Sequence, residues 1–305
     1  MYGGIRRVLD IWECYLGRRI EWQFRQHFRR LELIPVIDWD NAQSGYGFIE
    51  TGFGSGEAGM PQPYCLNFDV LAHELGHSIV FAEVGYDEAT VTGEYLGFQE
   101  AAGDLIALIS ALHFDSVIDR VLSSTQGNLY VENNENRIGE LSEIAQVRMA
   151  SNSRKLSEFA EGWSKPHDLG QPLVGAMFDC LVDVYQDHLM QAGLIDEELG
   201  RLTNTMPYEE LDEGIIQARY AEAYRGQHAA FKGALLEARD HIGSCLALML
   251  NLLSPDFLRF ADIGVALLTA DEILSGGRYR EDFLGNLTWR HIGTTLVGPR
   301  LPERE

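Results

Sequence analysis

The sequence lacks three features that mark common classes of protein. Its longest apolar run, SCLALMLNLL at 244–253, is interrupted and too short to span a bilayer. Its four cysteines (Cys14, Cys65, Cys180 and Cys245) include no CxxC pair, which favours buried free thiols. No apolar segment follows the first residues, so no signal peptide is predicted. We therefore expect no membrane insertion, and either a cytoplasmic protein or the mature part of a longer precursor.

Positive charge is also scarce. Lys and Arg number 24 against 46 Asp and Glu, which gives a formal net charge of −22. Such a chain repels phosphates, so we expect no nucleic acid partner. The acidic run VENNENRIGE at 131–140 offers oxygen ligands that Ca²⁺ accepts, but it has no EF-hand spacing, and a solvated acidic loop is the favoured interpretation.

Hydrophobic periodicity divides the chain into a short mixed part and a long helical part. Residues 4–30 carry apolar residues at helical intervals and predict one long helix. LELIPVID at 31–38 contains a proline and predicts an edge strand, and the glycine-rich stretch 41–64 predicts short strands between turns. From about residue 68 the pattern is almost wholly helical.

These elements predict an α+β fold that is predominantly helical, with a small sheet near its start. Near the end of the chain, Ser254 followed by Pro255 predicts the start of a helix, and the pair Gly276-Gly277 predicts its end.

Two histidines on one helix are the first sign of chemistry. In VLAHELGHSIV at 70–80, His73 and His77 are four residues apart, about 40° around a helix, so both can bind one metal ion. Glu74 lies about 100° from His73, beside that face. Zinc in a catalytic site needs a third protein ligand. Without one, an ordinary buried helix that contains two histidines is the alternative interpretation.

The third ligand is expected on a second helix. Val80 and Glu83 stand where HExxHxxGxxH would need Gly and His, which excludes that arrangement. GFQEAAGD at 97–104 places Glu100 and Asp104 four residues apart on one face. A solvated acidic face is the alternative, but the apolar sequence that surrounds these residues predicts a largely buried helix, where bare carboxylates are costly. Glu100 is therefore the candidate ligand and Asp104 a candidate partner of a ligating imidazole.

These motifs resemble the gluzincin metallopeptidases of the thermolysin and fungalysin type, in which HExxH is followed by Glu-x-x-x-Asp on a second helix. Similar segments occur in the same order along most of the chain, namely WDNAQSGYGFIETGFG at 39–54, KPHDLGQPLVGAMFD at 165–179, the stretch 254–277 and NLTWRHIG at 286–293.

The resemblance implies a zinc site with three protein ligands: His73, His77 and Glu100. It also implies that Glu74 is the general base and acid, and that Asp104 supports a ligating histidine.

Substrate-binding residues are likewise implied by the resemblance. His167 would stabilise the charge that develops on the tetrahedral intermediate, and the alternative is a surface residue at a helix start. Asn41 and the backbone of Ala42 would hold an extended peptide, and for Asn41 a plain turn residue is the alternative. The arginine that grips the substrate carbonyl stays open between Arg148 and Arg154.

A thermolysin-like, two-lobed zincin is the fold that the resemblance implies. Its N-terminal lobe, residues 1–92, would hold the long helix, a reduced sheet and the HExxH helix. Its larger helical lobe, residues 93–305, would carry the third zinc ligand and the second catalytic histidine. Tyr86 and Tyr95 are the candidates for a tyrosine that assists His167. The implied activity is zinc-dependent hydrolysis of a peptide or protein substrate by a secreted endopeptidase; the alternative is a zinc-containing binding or scaffolding module without peptidase activity.

Overall fold

The computed structural model describes most of the chain. The ranges are 1–55, 60–129, 152–160, 162–163, 165–200 and 213–294. The acidic run at 131–140 and Arg148 lie outside these residues.

The first helix, α1, spans Tyr2–Leu16 and buries Val8 and Trp12 in the core. It ends because Gly17 adopts a left-handed conformation with φ of 66°, which glycine reaches without strain, and its N–H bonds to the carbonyl of Cys14. The predicted continuous helix over 4–30 is therefore wrong. Beyond Gly17 the chain forms a short 3₁₀ helix at Gln23–Gln26.

Two small sheets follow. Strands β1 (Glu32–Ile34), β2 (Ala42–Gly45) and β3 (Phe48–Thr51) form a sheet in the order β1-β3-β2. Strand β1 runs parallel to β3 and β2 runs antiparallel to it. Strands β4 (Phe53–Ser55) and β5 (Pro61–Pro63) form an antiparallel pair. Because β1 lies at one side of its sheet and ends just before Pro35, the predicted edge strand is confirmed.

From residue 68 onward the described part of the chain is mostly helical, as the sequence pattern predicts. The helices are α2 (Phe68–Glu83), α3 (Gly93–Ala111), α4 (Asp115–Thr125), α5 (Pro166–Gln191), α6 (Glu213–Tyr224), α7 (His228–Leu252), α8 (Phe260–Ser275) and α9 (Arg280–Trp289). Helix α3 packs between α2 and α5, α5 packs on α7, and α7 packs on α8. One apolar core joins α1 and these helices. The predominantly helical α+β class is thus confirmed.

Two expectations near the end of the chain have different outcomes. Helix α8 begins at Phe260, so the predicted start at Ser254 is wrong; the backbone N–H of Phe260 donates to Oε2 of Glu94 in α3 at 2.6 Å, a tertiary contact that fixes the first turn. Its end at Gly276, which is left-handed with φ of 72°, is as predicted.

Two expectations from the sequence concern the cysteines and the apolar segments, and the predicted burial of the thiols is wrong for Cys14. All four thiols are free, and three of them are buried, while Cys14 is exposed. Among the helices described, none combines the length and the apolar character that a membrane crossing requires.

Candidate metal centre

Helices α2 and α3 approach each other at two glycines. A Cβ atom on Gly76 would lie 2.8 Å from the Cα of Gly103, and one on Gly103 would lie 2.9 Å from Nδ1 of His73. Only glycine at both positions allows this backbone contact, because real Cβ atoms do not come so close. The close approach brings the histidines of α2 against Glu100 and Asp104 of α3.

Helix α5 approaches α3 in the same way. A Cβ atom on Gly170 would lie 2.7 Å from the carbonyl oxygen of Gly97. Helix α5 begins at Pro166, whose fixed φ and missing N–H suit the first helical position. His167 therefore lies in the first turn of α5, next to the helix that carries Glu100.

Three predicted site residues, the ligands His73 and His77 and the oxyanion donor His167, approach one carboxylate oxygen. Oε2 of Glu100 lies 3.4 Å from Nε2 of His73, 4.0 Å from Nε2 of His77 and 3.1 Å from Nε2 of His167. Ligand atoms of a tetrahedral zinc site, each about 2.0–2.1 Å from the metal, lie about 3.4 Å from one another. His73, Glu100 and His167 each present a ligand atom within 4.8 Å of the other two. Their spacing could hold a metal ion, whereas His77, the other predicted ligand, lies outside this group of three and has only its 4.0 Å approach to Glu100.

A carboxylate orients His73. Nδ1 of His73 lies 2.8 Å from Oδ1 of Asp104. A carboxylate accepts this hydrogen bond, so Nδ1 carries the proton and the lone pair of Nε2 faces Glu100. The expected contact between Asp104 and a histidine of the HExxH motif is present in the structure.

A chain of three hydrogen bonds orients His77. The Tyr95 hydroxyl donates to the carbonyl oxygen of Gly85 at 2.5 Å, since that oxygen can only accept. The same hydroxyl therefore accepts from Nε2 of Gln99 at 2.7 Å. Oε1 of Gln99 then faces Nδ1 of His77 at 3.3 Å and accepts a hydrogen bond from its N–H, which leaves the lone pair of Nε2 for a metal.

Sequence reasoning missed Gln99. A signal was present, because a glutamine within an apolar helix needs a buried partner. Tyr95, predicted as a candidate assistant to His167, is instead buried and acts on the His77 side of the site. Tyr86 contacts Phe81 and Tyr95 through its ring.

Burial keeps His77 neutral. Desolvation, and secondarily the neighbouring His73, lower the pKa of His77 to about 4, although Glu100 opposes the shift. A neutral imidazole is the form that binds metal ions, so no proton must be displaced at neutral pH. The side chains of His73 and Glu100 are also largely withdrawn from solvent.

Glu74 faces strand β2. Val70, Glu74 and Ser78 are spaced by four residues and share one face of α2. Val70 packs with Ala42 at the start of β2, and the hydroxyl of Ser78 lies 2.7 Å from that of Ser44. Glu74 is 8% exposed and lies on the turn between these two contacts.

The predicted substrate residues lie at the edge of the sheet. The carbonyl oxygen of Asn41 accepts from the N–H of Gly52, just after β3, at 2.8 Å. Residues of an antiparallel strand alternate in direction, so the backbone groups of Ala42 and Ser44 point away from β3. In the described part of the chain no strand pairs with that side of β2.

The substrate-gripping arginine stays open. Arg154 pairs with Glu158 at 2.8 Å and its guanidinium lies over the ring of Phe159. Among the described residues no hydrogen bond or ion pair joins it to the candidate metal ligands, and Arg148 lies outside them.

Comparison with known proteins adds no assignment. Neither a scan against protein-family models nor a search among curated proteins finds a match to this chain.

Proposed function

We propose that the chain is a zinc-dependent endopeptidase of the gluzincin type, with a thermolysin-like two-lobed fold. The observation that carries the proposal is the convergence of His73, His77 and His167 on one oxygen of Glu100. A chance HExxH sequence in a buried helix would need none of these partners. The hydrogen bonds that the two HExxH histidines donate to Asp104 and Gln99 further support a metal site.

In this proposal His73, His77 and Glu100 hold the ion. When bound, zinc supplies a Lewis acid that polarises the scissile carbonyl and lowers the pKa of a water molecule towards neutrality. Glu74 accepts a proton from the attacking water and returns it to the leaving amine. Its burial and its position beside the HExxH histidines suit a base that must act away from bulk solvent.

Strand β2 binds the peptide in an extended form. The outward backbone groups of Ala42 and Ser44 can hydrogen-bond a peptide that adds to the sheet as a further strand. Asn41, exposed at the start of this strand, is placed to contact the same peptide through its side chain. Because Glu74 faces β2, the peptide would pass directly beside the general base.

His167 donates a hydrogen bond to the oxyanion. Its side chain is 43% exposed, so it can turn from Glu100 towards a substrate in the cleft. Removal of one such donor typically costs about 3–4 kcal/mol of transition-state stabilisation.

Glu74→Gln tests the proposal. The variant should keep one zinc per chain and lose about 10²- to 10⁴-fold in hydrolysis of a quenched peptide library. Glu237→Gln, a matched change at an exposed site on α7, should leave the rate unchanged. Full activity in the Glu74 variant, or no zinc-dependent hydrolysis by the wild-type protein, would contradict the proposal.

The proximity of His167 to Glu100 also favours a second candidate. If His167 binds zinc as a fourth protein ligand, the site has no open position and serves a binding or scaffolding module without peptidase activity. His167→Ala separates the two functions. A donor to the oxyanion predicts about 10²- to 10³-fold slower hydrolysis with unchanged zinc affinity. A structural ligand predicts weaker zinc binding and no hydrolysis in either protein.

A further inference from the structure

We propose that an arginine-rich surface binds acidic residues of the peptide substrate, away from the bond that is cleaved. This inference rests on the proposed peptidase function and names its substrate class. The surface, here called the basic patch, consists of Arg18, Arg19, Arg25, Arg29 and Arg30.

The basic patch has the opposite charge to the rest of the chain. Residues 18–30 hold five arginines and one glutamate, a formal charge of +5 − 1 = +4. The whole chain carries −22, so the other residues carry −22 − 4 = −26. Five of the 24 basic residues thus fall within 13 positions of the 305. The positive charge of residues 18–30 therefore contrasts with the negative charge of the rest of the chain.

Three of the five arginines have no ion-pair partner among the described residues. Arg18 is bound by Glu83 and Asn251, and Arg25 pairs with Glu21. Arg19, Arg29 and Arg30 are exposed, and no carboxylate among the described residues lies within ion-pair distance of them. These three guanidinium groups can bind carboxylates of a partner without breaking an existing pair.

Aromatic contacts fix this segment to the end of β2. Tyr46 lies in the turn between β2 and β3, and its hydroxyl lies 2.8 Å from Nδ1 of His27. The Phe28 ring packs against the Tyr46 ring at 6.0 Å between centroids, and both side chains are about half exposed (49% and 48%). The arginines that flank Phe28 are therefore held close to the turn that ends β2.

Strand β2 leads from the metal centre to this turn. Ala42 packs near Val70, and Ser44 bonds to Ser78, so β2 runs in the same direction as α2. From Ala42 to Tyr46 the strand advances four residues, about 13 Å. A peptide added along β2 beside Glu74 would therefore reach the basic patch within roughly four or five residues.

A surface depression lies within the same segment. It has a volume of about 660 Å³ and is lined by Arg18, Arg19, Arg25 and other residues of the segment, among them one carboxylate, Glu21, and by Ala82 of α2. Ala82 is five residues beyond His77, about 8 Å further along the helix axis. Side chains of a bound peptide have room here beside the arginines.

A short acidic peptide fits this surface better than an anionic membrane. The negative charges of an acidic peptide and of an anionic membrane both attract the basic patch at contact. A membrane would also face the remaining charge of −26 over a wide area, and that charge repels it within a Debye length of about 8 Å. A few aspartates or glutamates on an extended segment contact the patch alone.

Binding to the inactive protein tests the inference. Labelled 12-residue peptides would be titrated into zinc-loaded Glu74→Gln protein, with fluorescence anisotropy as the readout. One pair carries three glutamates at its N-terminal end or three glutamines there, and a second pair carries them at its C-terminal end. These pairs cover both directions in which a strand can add to β2. In one pair the acidic peptide should bind roughly tenfold more tightly at low salt, and 0.5 M NaCl should remove the difference.

Charge reversal locates the effect. Arg29→Glu combined with Arg30→Glu should abolish the preference for glutamate. Arg120→Glu combined with Arg225→Glu makes the same change of charge at exposed positions on α4 and just after α6, and should retain the preference. Circular dichroism of both variants verifies the fold, and the salt titration of the parent protein needs no substitution at the patch.

The outcomes separate this inference from the proposed function. Equal affinity for acidic and neutral peptides in both pairs would overturn the proposed binding role of the basic patch. A preference for acidic peptides that survives Arg29→Glu and Arg30→Glu would also overturn it. Binding to phosphatidylserine vesicles without any acidic-peptide preference would overturn it as well, and would assign the patch to a membrane surface. If the wild-type protein cleaves all four peptides equally, the proposed peptidase function stands and the proposed binding role of the basic patch is wrong. If it binds the acidic peptides but cleaves none, the binding role stands and the peptidase function is wrong.

Discussion

Replacing Gly76 by alanine should force apart the two helices that carry the metal ligands. The new methyl carbon would lie 2.8 Å from the Cα of Gly103 and 3.4 Å from two side-chain carbons of Ile106. Carbon atoms pack best at about 3.5–4.0 Å, so α3 must move by about 0.7 Å or more. Its nearest obstacle is backbone, which cannot turn aside as a flexible side chain can.

The two energetic effects of this substitution have opposite signs. Overpacking of a core contact costs about 1–3 kcal/mol, whereas alanine gains up to about 1 kcal/mol over glycine in a helix interior. We expect a net loss of about 1–2 kcal/mol in the free energy of unfolding. A displaced α3 also moves Glu100 relative to His73, so zinc affinity should fall roughly 10- to 100-fold.

Urea denaturation of the metal-free protein and a zinc titration against a competing chelator measure both effects. Gly233→Ala is the matched control, because a Cβ atom at this exposed position in α7 meets nothing within 4 Å. The control should gain about 0.5–1 kcal/mol and bind zinc as the wild type does. If Gly76→Ala is as stable as Gly233→Ala, the close crossing of α2 and α3 does not exist in solution.

Two further predictions follow from buried polar groups. Gln99→Leu should weaken zinc binding roughly 10- to 100-fold, because Nδ1 of His77 loses its acceptor. Tyr95→Phe should weaken zinc binding less, because Gln99 remains. Equal zinc affinities for the wild type and Gln99→Leu in the chelator titration would refute the role of Gln99 in orienting His77. Burial raises the pKa of Asp183 to about 8, so the folded state holds a proton that the unfolded chain, with a pKa of about 3.9, has released. This carboxyl therefore lowers stability by roughly 1 kcal/mol for each pH unit between about pH 4 and pH 8, and Asp183→Asn should remove that part of the slope. Identical slopes of unfolding free energy against pH in the two proteins would contradict the assignment.

Local periodicity made part of the site predictable. The four-residue spacings of His73 and His77, and of Glu100 and Asp104, set which side chains share a helix face before any tertiary contact is known. A glycine inside a helix lowers helix stability, so Gly76 favours a close packing contact, which the structure places at Gly103.

The remainder depends on contacts between distant parts of the chain. The orientation of His77 requires the carbonyl of Gly85 and the hydroxyl of Tyr95, and no spacing in the sequence shows that these groups meet. The N–H of Phe260, the first residue of α8, donates to Glu94 of α3, a contact between residues 166 positions apart in the sequence. Apolar spacing continued past Gly17, but a single left-handed residue ended α1.

The position of a bound metal ion tests the central claim most directly. Crystals grown with zinc and measured on both sides of the zinc absorption edge would locate the ion by its anomalous signal. We predict one site at full occupancy, bound by Nε2 of His73, Nε2 of His77 and a carboxylate oxygen of Glu100 at about 2.0–2.2 Å, with one coordination position left for water. The absence of zinc from this site, or a strong zinc signal elsewhere with these side chains unbound, would contradict the account.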